Sequence, residues 1–238
     1  MIRTLIRMTM HDAHGRRPDT SSTATALSPT PRTTLRRNRA RAQADRAALT
    51  DVLDAAQLCH LGVVVQGSPL VVPTAFAYDL DGPDAEGTLY LHGSVAATTL
   101  GAPGDVCVSI TVLDGLVLAR SAFHHSMNYR SAVVRGTPRV VDDEGERAVA
   151  LDLIVNKLVP GRTDVVRANT RKELAATRVV ALPLYEASVK ARSGGPNDDE
   201  GDIAAGGVWA GVLPLTTQVG EPVPAPDLDE IGAASPPM

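Results

Sequence analysis

Apolar residues in "ADRAALTDVLDAAQ" return every three or four positions, with Ala48, Leu49, Val52, Leu53 and Ala56 on one side, so the stretch entered at Ala44 predicts an amphipathic helix. The same spacing recurs from about Asp143 to Leu158, on Ala148, Leu151, Ile154, Val155 and Leu158, and more briefly in "RKELAAT". Elsewhere the pattern is that of strands. "LCHLGVVV" and "GSPLVVPTAFAYD" are β-rich runs joined by Gln66-Gly67-Ser68-Pro69, the composition of a hairpin. "TLYLHGS" is a strand that ends at Gly93 and at a potential helix N-cap, Ser94; "VAATTLGA" leaves room for one short helix after it. "GDVCVSITVL" is the next strand, and Asp114-Gly115 predicts a two-residue turn into "LVLARSAF". "SAVVRGTPRVV" and "RVVALPLYEASVKAR" follow as strands, "DLDGPDAEG" and "SGGPNDDEGD" read as loops, and the end beyond Gly220 is proline-rich and extended.

Six or more strands at short spacing, mostly joined by tight turns with helices inserted between some of them, suit an antiparallel barrel with peripheral helices. A doubly wound parallel sheet does not fit. The fold class expected is therefore mainly β, in one domain over residues 33–219, with an N-terminal tail over 1–32 and a proline-rich tail over 220–238. The first 30 or so residues read either as a disordered tail or as the product of an upstream start codon, with Met8 or Met10 as the beginning.

Charge narrows the partners. The formal net charge is -4 with no recurring basic patch, which argues against nucleic acid and anionic membrane as partners. No window reaches the roughly 18 to 20 apolar residues needed to span a bilayer. Cys59 and Cys107 both lie in apolar runs and read as reduced core thiols, which points to a cytoplasmic compartment.

Candidate chemistry is concentrated in "LVLARSAFHHSMNYRS", Leu116 to Ser131. His60, His92, His124 and His125 form no recognised metal-ligand spacing, and His124 and His125 would point to opposite faces of a strand, so a zinc site is not expected. Ser94, Ser126 and Ser131 lie near histidines and Asp114, but no G-x-S-x-G elbow supports a serine hydrolase. Neither a dinucleotide nor a P-loop glycine pattern is present. In "LYLHGS" the passage from Gly93 to a Ser94 cap could aim backbone N–H groups at phosphate, although an ordinary strand-to-helix turn has the same pattern. Aromatic residues make up only 3% of the chain, and the single tryptophan, Trp209, reads on composition as core and otherwise as a wall on a planar ligand.

The succession "CHLGVVVQGSPLVVPTAFAYD", "LYLHGS", "LDGLVLARSAFHHSMNYRS", "LVPGR", "ALPLYEASVKARSGGPNDDE" and "VWAGVLPL" resembles the flavin-nucleotide-binding branch of the pyridoxamine 5'-phosphate oxidase-like superfamily, which is also similar to the nitroimidazole-resistance reductases. The resemblance runs from about Thr33 to Pro224 and implies a split β-barrel that forms a homodimer, with one FMN in each of two clefts between subunits. It places Pro73, Thr74 and Ala75 along the isoalloxazine edge and His92, Gly93 and Ser94 at the start of the phosphate loop. Ser126, Asn128, Arg130 and Ser131 would contact the flavin, and Trp209 would lie near its ring. His124, His125 and Tyr129 are the implied catalytic candidates, histidine having the pKa suited to proton transfer near neutrality.

Two departures accompany the resemblance. Related sequences place an arginine or lysine after the histidine of "LYLHGS", where this chain has "VAATT" with Thr98 and Thr99; the lost charge-assisted bond is worth about 1.5 to 3 kcal/mol, and Arg130 or Arg120 could substitute. Val212 and Leu213 stand where the oxidases carry a glycine-aromatic-arginine segment, so pyridoxamine 5'-phosphate oxidation itself is not expected. The function expected is an FMN-dependent oxidoreductase acting on a small acceptor such as a nitro compound or quinone. Alternatives are a non-catalytic flavin, deazaflavin or haem binding protein, with His60, His92, His124 or His125 as haem ligand, and a pathway-specific flavoenzyme.

Overall fold

In the computed structural model, residues 26, 27 and 30–228 are described. Their strands are β1 (Ala42–Gln43), β2 (Cys59–Val65), β3 (Ser68–Thr74), β4 (Phe76–Asp79), β5 (Thr88–Ser94), β6 (Val106–Leu118), β7 (Ser126–Gly136), β8 (Arg139–Val140), β9 (Thr177–Pro183), β10 (Ala187–Arg192) and β11 (Gly211–Pro214). The α-helices are α1 (Arg46–Ala55), α2 (Glu144–Leu158), α3 (Arg171–Ala176) and α4 (Glu200–Ala205). The strands make two antiparallel sheets, the larger in the order β1-β10-β7-β6-β2-β3 with β11 also on β6, the smaller in the order β4-β5-β9-β8.

The hydrophobic patterns explain the layering. Asp45 lies outside α1 in extended backbone and accepts the Ala47 N–H at 2.9 Å, satisfying one of the donors that a helix start leaves unpaired. Leu49, Val52 and Leu53 of α1 then join Leu61, Val108, Ile110 and Val134 of the large sheet against Leu89, Leu91, Val180 and Leu182 of the small one. The other face of the small sheet, through Tyr90, Val179 and Ala181, packs on Ala150, Leu151 and Ile154 of α2. β5 and β9 are thus buried on both faces, and this is why "LYL" and "VVAL" are apolar without alternation. Each fully buried aliphatic side chain in these layers contributes about 1.5–3 kcal/mol.

The expected mainly β architecture with peripheral helices is present, with local differences. Gln66 (φ 52°) and Gly67 (φ 77°) have the positive φ that a two-residue hairpin turn demands, and the β2–β3 hairpin forms there. Asp114 and Gly115 do not. β6 continues through them, with a register shift against β7 between Leu113 and Gly115, and Gly115 leaves room for β11, since a Cβ there would lie 3.0 Å from the Leu213 carbonyl oxygen. Two runs expected as single strands each divide between the sheets, at Ala75 between β3 and β4 and at 184–186 between β9 and β10. Such corners let one chain line both sheets.

Ser94 ends β5 and caps no helix. Its Oγ accepts the Ala96 N–H at 3.2 Å, and a single 3-10 turn, Thr99–Gly101, follows before Pro103 prevents continuation. The charged loop "SGGPNDDEGD" contains the start of α4. Cys59 is buried, and burial pushes its thiol up to about 12, but Cys107 lies on the outer face of the large sheet, half-buried rather than in the core. Of the N-terminal tail, residues 1–25, 28 and 29 lie outside the described residues; Leu27 packs on the core and Arg32 pairs with Asp105 at 2.5 Å. At the other end 220–228 pair with no strand, and 229–238 lie outside the described residues.

Candidate functional site

The polar run between β6 and β7 is not a strand at the histidines. Residues Ala122–His124 form a 3-10 turn, so His124 and His125 do not alternate across a sheet. The His124 Nε2 lies 3.2 Å from Asp199 Oδ2; a carboxylate accepts, so this nitrogen carries the proton. The His125 Nδ1 lies 2.9 Å from the Ser121 carbonyl oxygen, which also only accepts, so Nδ1–H donates and Nε2 is left for a ligand. Arg120 binds Asp198 twice, through its backbone N–H at 2.8 Å and Nη1 at 2.6 Å. Burial alone would raise the Asp198 carboxyl, but these bonds hold it below the usual carboxylate range. Beside them, Ser121 Oγ and Arg120 Nε are buried without a hydrogen-bond partner among the described residues.

Along β7 the expected flavin contacts separate by parity. Asn128 and Arg130 share the side of Ala132 and Val134, which lie in the core, whereas Tyr129 and Ser131 face outward. Asn128, 8% exposed, donates Nδ2–H to the Gly194 carbonyl at 3.1 Å and accepts from Arg192. Arg130 forms a two-pronged pair with Asp114 at 2.9 and 3.1 Å. Ser131 Oγ donates to the Lys190 carbonyl at 3.3 Å; the side chains of Ser126 and Tyr129 make no hydrogen bond among the described residues. Pro73 is exposed opposite His60, and Thr74 and Ala75 lie where β3 passes into β4.

The third group sits at the end of β5. His92 is half-buried with Nδ1 unpartnered among the described residues, and burial lowers its pKa, so the ring is neutral at pH 7. Gly93 stands directly opposite Arg178 of β9. Beyond Ser94 a cleft of about 690 Å³ opens between residues 95–103 and the β2–β3 turn, and Arg178 is its one charged lining residue among the described residues. Nothing in the sequence spacing ties Arg178 to Gly93, so it was not among the expected site residues; only cross-strand register joins them. Trp209 is 63% exposed, not core, and lies between α4 and β11 with its ring against Gly211. A tryptophan two residues before a short edge strand has no second layer to bury it.

These orphaned buried atoms and the uncompensated cation suit a polar, anionic ligand. Among the described residues no cluster of three or more His, Cys, Asp or Glu is placed to hold a metal ion directly.

Comparison with known proteins adds identity to this geometry. Residues 45–191 match the family model described as pyridoxamine 5'-phosphate oxidase. No curated protein gives a match. Among solved structures, the FAD and haem binding protein from Mycobacterium smegmatis is 42% identical, with a TM-score of 0.73 over 83% of this chain and 93% of that one. The flavocytochrome Anf3 from Azotobacter vinelandii is 38% identical, with a TM-score of 0.76 over 84% of this chain and 91% of that one. A candidate 5-nitroimidazole antibiotic resistance protein from Bacteroides thetaiotaomicron is 25% identical, with a TM-score of 0.50 over 63% of this chain and 85% of that one. With the model spanning β2 to β10 and two such relatives matching over most of its length, the chain belongs to the pyridoxamine 5'-phosphate oxidase-like family of flavin-binding proteins.

Proposed function

We propose that the protein is a flavin-dependent oxidoreductase that works as a homodimer, takes FAD in preference to FMN, and also carries a haem. The observation that carries this reading is the unspent polar chemistry at His92 Nδ1, Ser121 Oγ and Arg120 Nε, in a chain similar to one protein that binds FAD and haem and to a flavocytochrome. A bound flavin supplies the redox chemistry; the chain's part is to hold, orient and shield it. His92, kept neutral by burial, offers one ring nitrogen to it, and the buried Ser121 hydroxyl offers a donor or acceptor.

His125 is the residue we assign to the haem iron. Its Nδ1–H is fixed on the Ser121 carbonyl, the arrangement by which metal-binding histidines hold their other nitrogen toward the metal. His124 is engaged by Asp199. The two cysteines lie far apart in sequence and form no C-x-x-C-H attachment motif, so the haem would be held without covalent bonds. Val64, Val71, Leu113 and Met127 are exposed on the outer side of the large sheet, an apolar face that a second copy of the chain would cover, and this supports the dimer. A nitro compound or quinone is the acceptor class we propose; with Val212 and Leu213 on β11, pyridoxamine 5'-phosphate is not.

A visible spectrum of the purified protein, followed by release of its chromophores, tests the reading. We expect a Soret band with flavin absorbance, FAD on release, and loss of the Soret band in His125→Ala but not in His124→Ala. A flavin spectrum alone removes the haem, and a colourless protein that takes up neither FMN nor FAD removes the whole proposal.

A further inference from the structure

We infer that Arg178 is the base that recognises the flavin's phosphate in this chain, in place of the basic residue that related sequences carry after the histidine of "LYLHGS". This rests on the flavin reading above and adds to it a residue outside the expected phosphate loop. Arg178 reaches the loop across the sheet, because β9 pairs with β5 in a register that sets it opposite Gly93. The 3-10 turn of Thr99–Gly101 lies over both residues. A Cβ on Gly93 would come within 2.8 Å of the Leu100 side chain, and one on Gly101 within 2.6 Å of the Arg178 Nη1.

Three observations single this arginine out. Its guanidinium makes no hydrogen bond or ion pair among the described residues, whereas Arg120 is bound to Asp198 and Arg130 to Asp114. Among the described residues it is the one charged group on a cleft otherwise lined by Gln66, Thr98 and small or apolar residues such as Val65, Val95, Ala97 and Pro103. The cleft, at about 690 Å³, has the size of a cofactor pocket, usually about 300–1,000 Å³. Low-polarity walls strengthen an arginine–phosphate contact, and among the described residues no carboxylate lines the cleft to compete for the guanidinium. The hydroxyl of Thr98, on the same wall, makes no cap hydrogen bond to the 3-10 turn that follows it and is open to a phosphate oxygen.

The test is flavin binding by protein stripped of cofactor, read from quenching of flavin fluorescence with FMN, FAD and riboflavin, which lacks phosphate. The wild-type chain should bind FMN at least about tenfold more tightly than riboflavin. Arg178→Ala should weaken FMN and FAD about 10- to 100-fold and leave riboflavin unchanged, and Arg178→Lys should recover part of the loss. If wild-type protein prefers FMN to riboflavin and Arg178→Ala keeps that preference, the inference is wrong while the flavin reading stands. Equal affinity of the wild type for FMN and riboflavin overturns it too. A wild-type chain that binds no flavin at all removes the flavin reading, and this inference with it.

Discussion

The segment around His124 and the cleft beside Ser94 make an instructive pair. The first is dense in polar side chains, and most of them are already spent on the chain itself: Arg120 on Asp198, His124 on Asp199, Asn128 on Gly194 and Arg192, Arg130 on Asp114. The second is poor in polar residues, yet it holds Arg178, whose guanidinium has no partner among the described residues. Polar density in a sequence therefore measures how much hydrogen bonding must be satisfied, not how much is left for a ligand. Within the dense segment, what remains available among the described residues is the His125 Nε2, the hydroxyls of Ser121, Ser126 and Tyr129, and the Arg120 Nε, of which only the Ser121 Oγ and Arg120 Nε are buried.

The comparison breaks most visibly at Asn128. Asn128→Ala should cost about 1–3 kcal/mol in urea unfolding, because the buried amide loses its bond to the Gly194 carbonyl and its charge-assisted bond from Arg192. A change below about 0.5 kcal/mol would mean that the segment's internal bonding is dispensable, and the contrast with the cleft would lapse. A smaller effect is expected at Gly101→Ala, where the new methyl group must displace the end of Arg178: FMN affinity should fall about three- to tenfold while unfolding free energy changes by under about 0.5 kcal/mol. Equal losses in both would show packing rather than phosphate recognition.

The smallest effect concerns His92. Burial lowers its pKa in the folded state, so unfolding lets it take up a proton once pH drops below about 6.5. The unfolded state then binds more protons, and stability of the flavin-free protein is full above that pH and declines below it until the folded ring also titrates. His92→Gln should remove that part of the slope in melts between pH 7 and pH 5; an unchanged slope would assign the acid sensitivity elsewhere.

Much of this was legible in the sequence. The spacing of Leu49, Val52 and Leu53 gives α1, and Gln66-Gly67 gives the hairpin, because both signals act over a few residues and need no partner. The block around "HHSMNYRS" pointed to the family, and the comparisons agree. Asp114-Gly115 carries the same kind of turn signal as Gln66-Gly67 but became a bulge, since a long β7 and the arriving β11 hold β6 straight on both sides. The sequence by itself determined α1, α2 and α3, most strands, the mainly β class and the family. Only the tertiary structure decided where the chain crosses between sheets, that Trp209 is exposed, and which polar groups are free. Whether Arg178 or Arg130 can meet a phosphate depends on what lies beside it in space: Gly93 for one, Asp114 for the other. Those neighbours are brought together by strand register, which residue types alone do not encode.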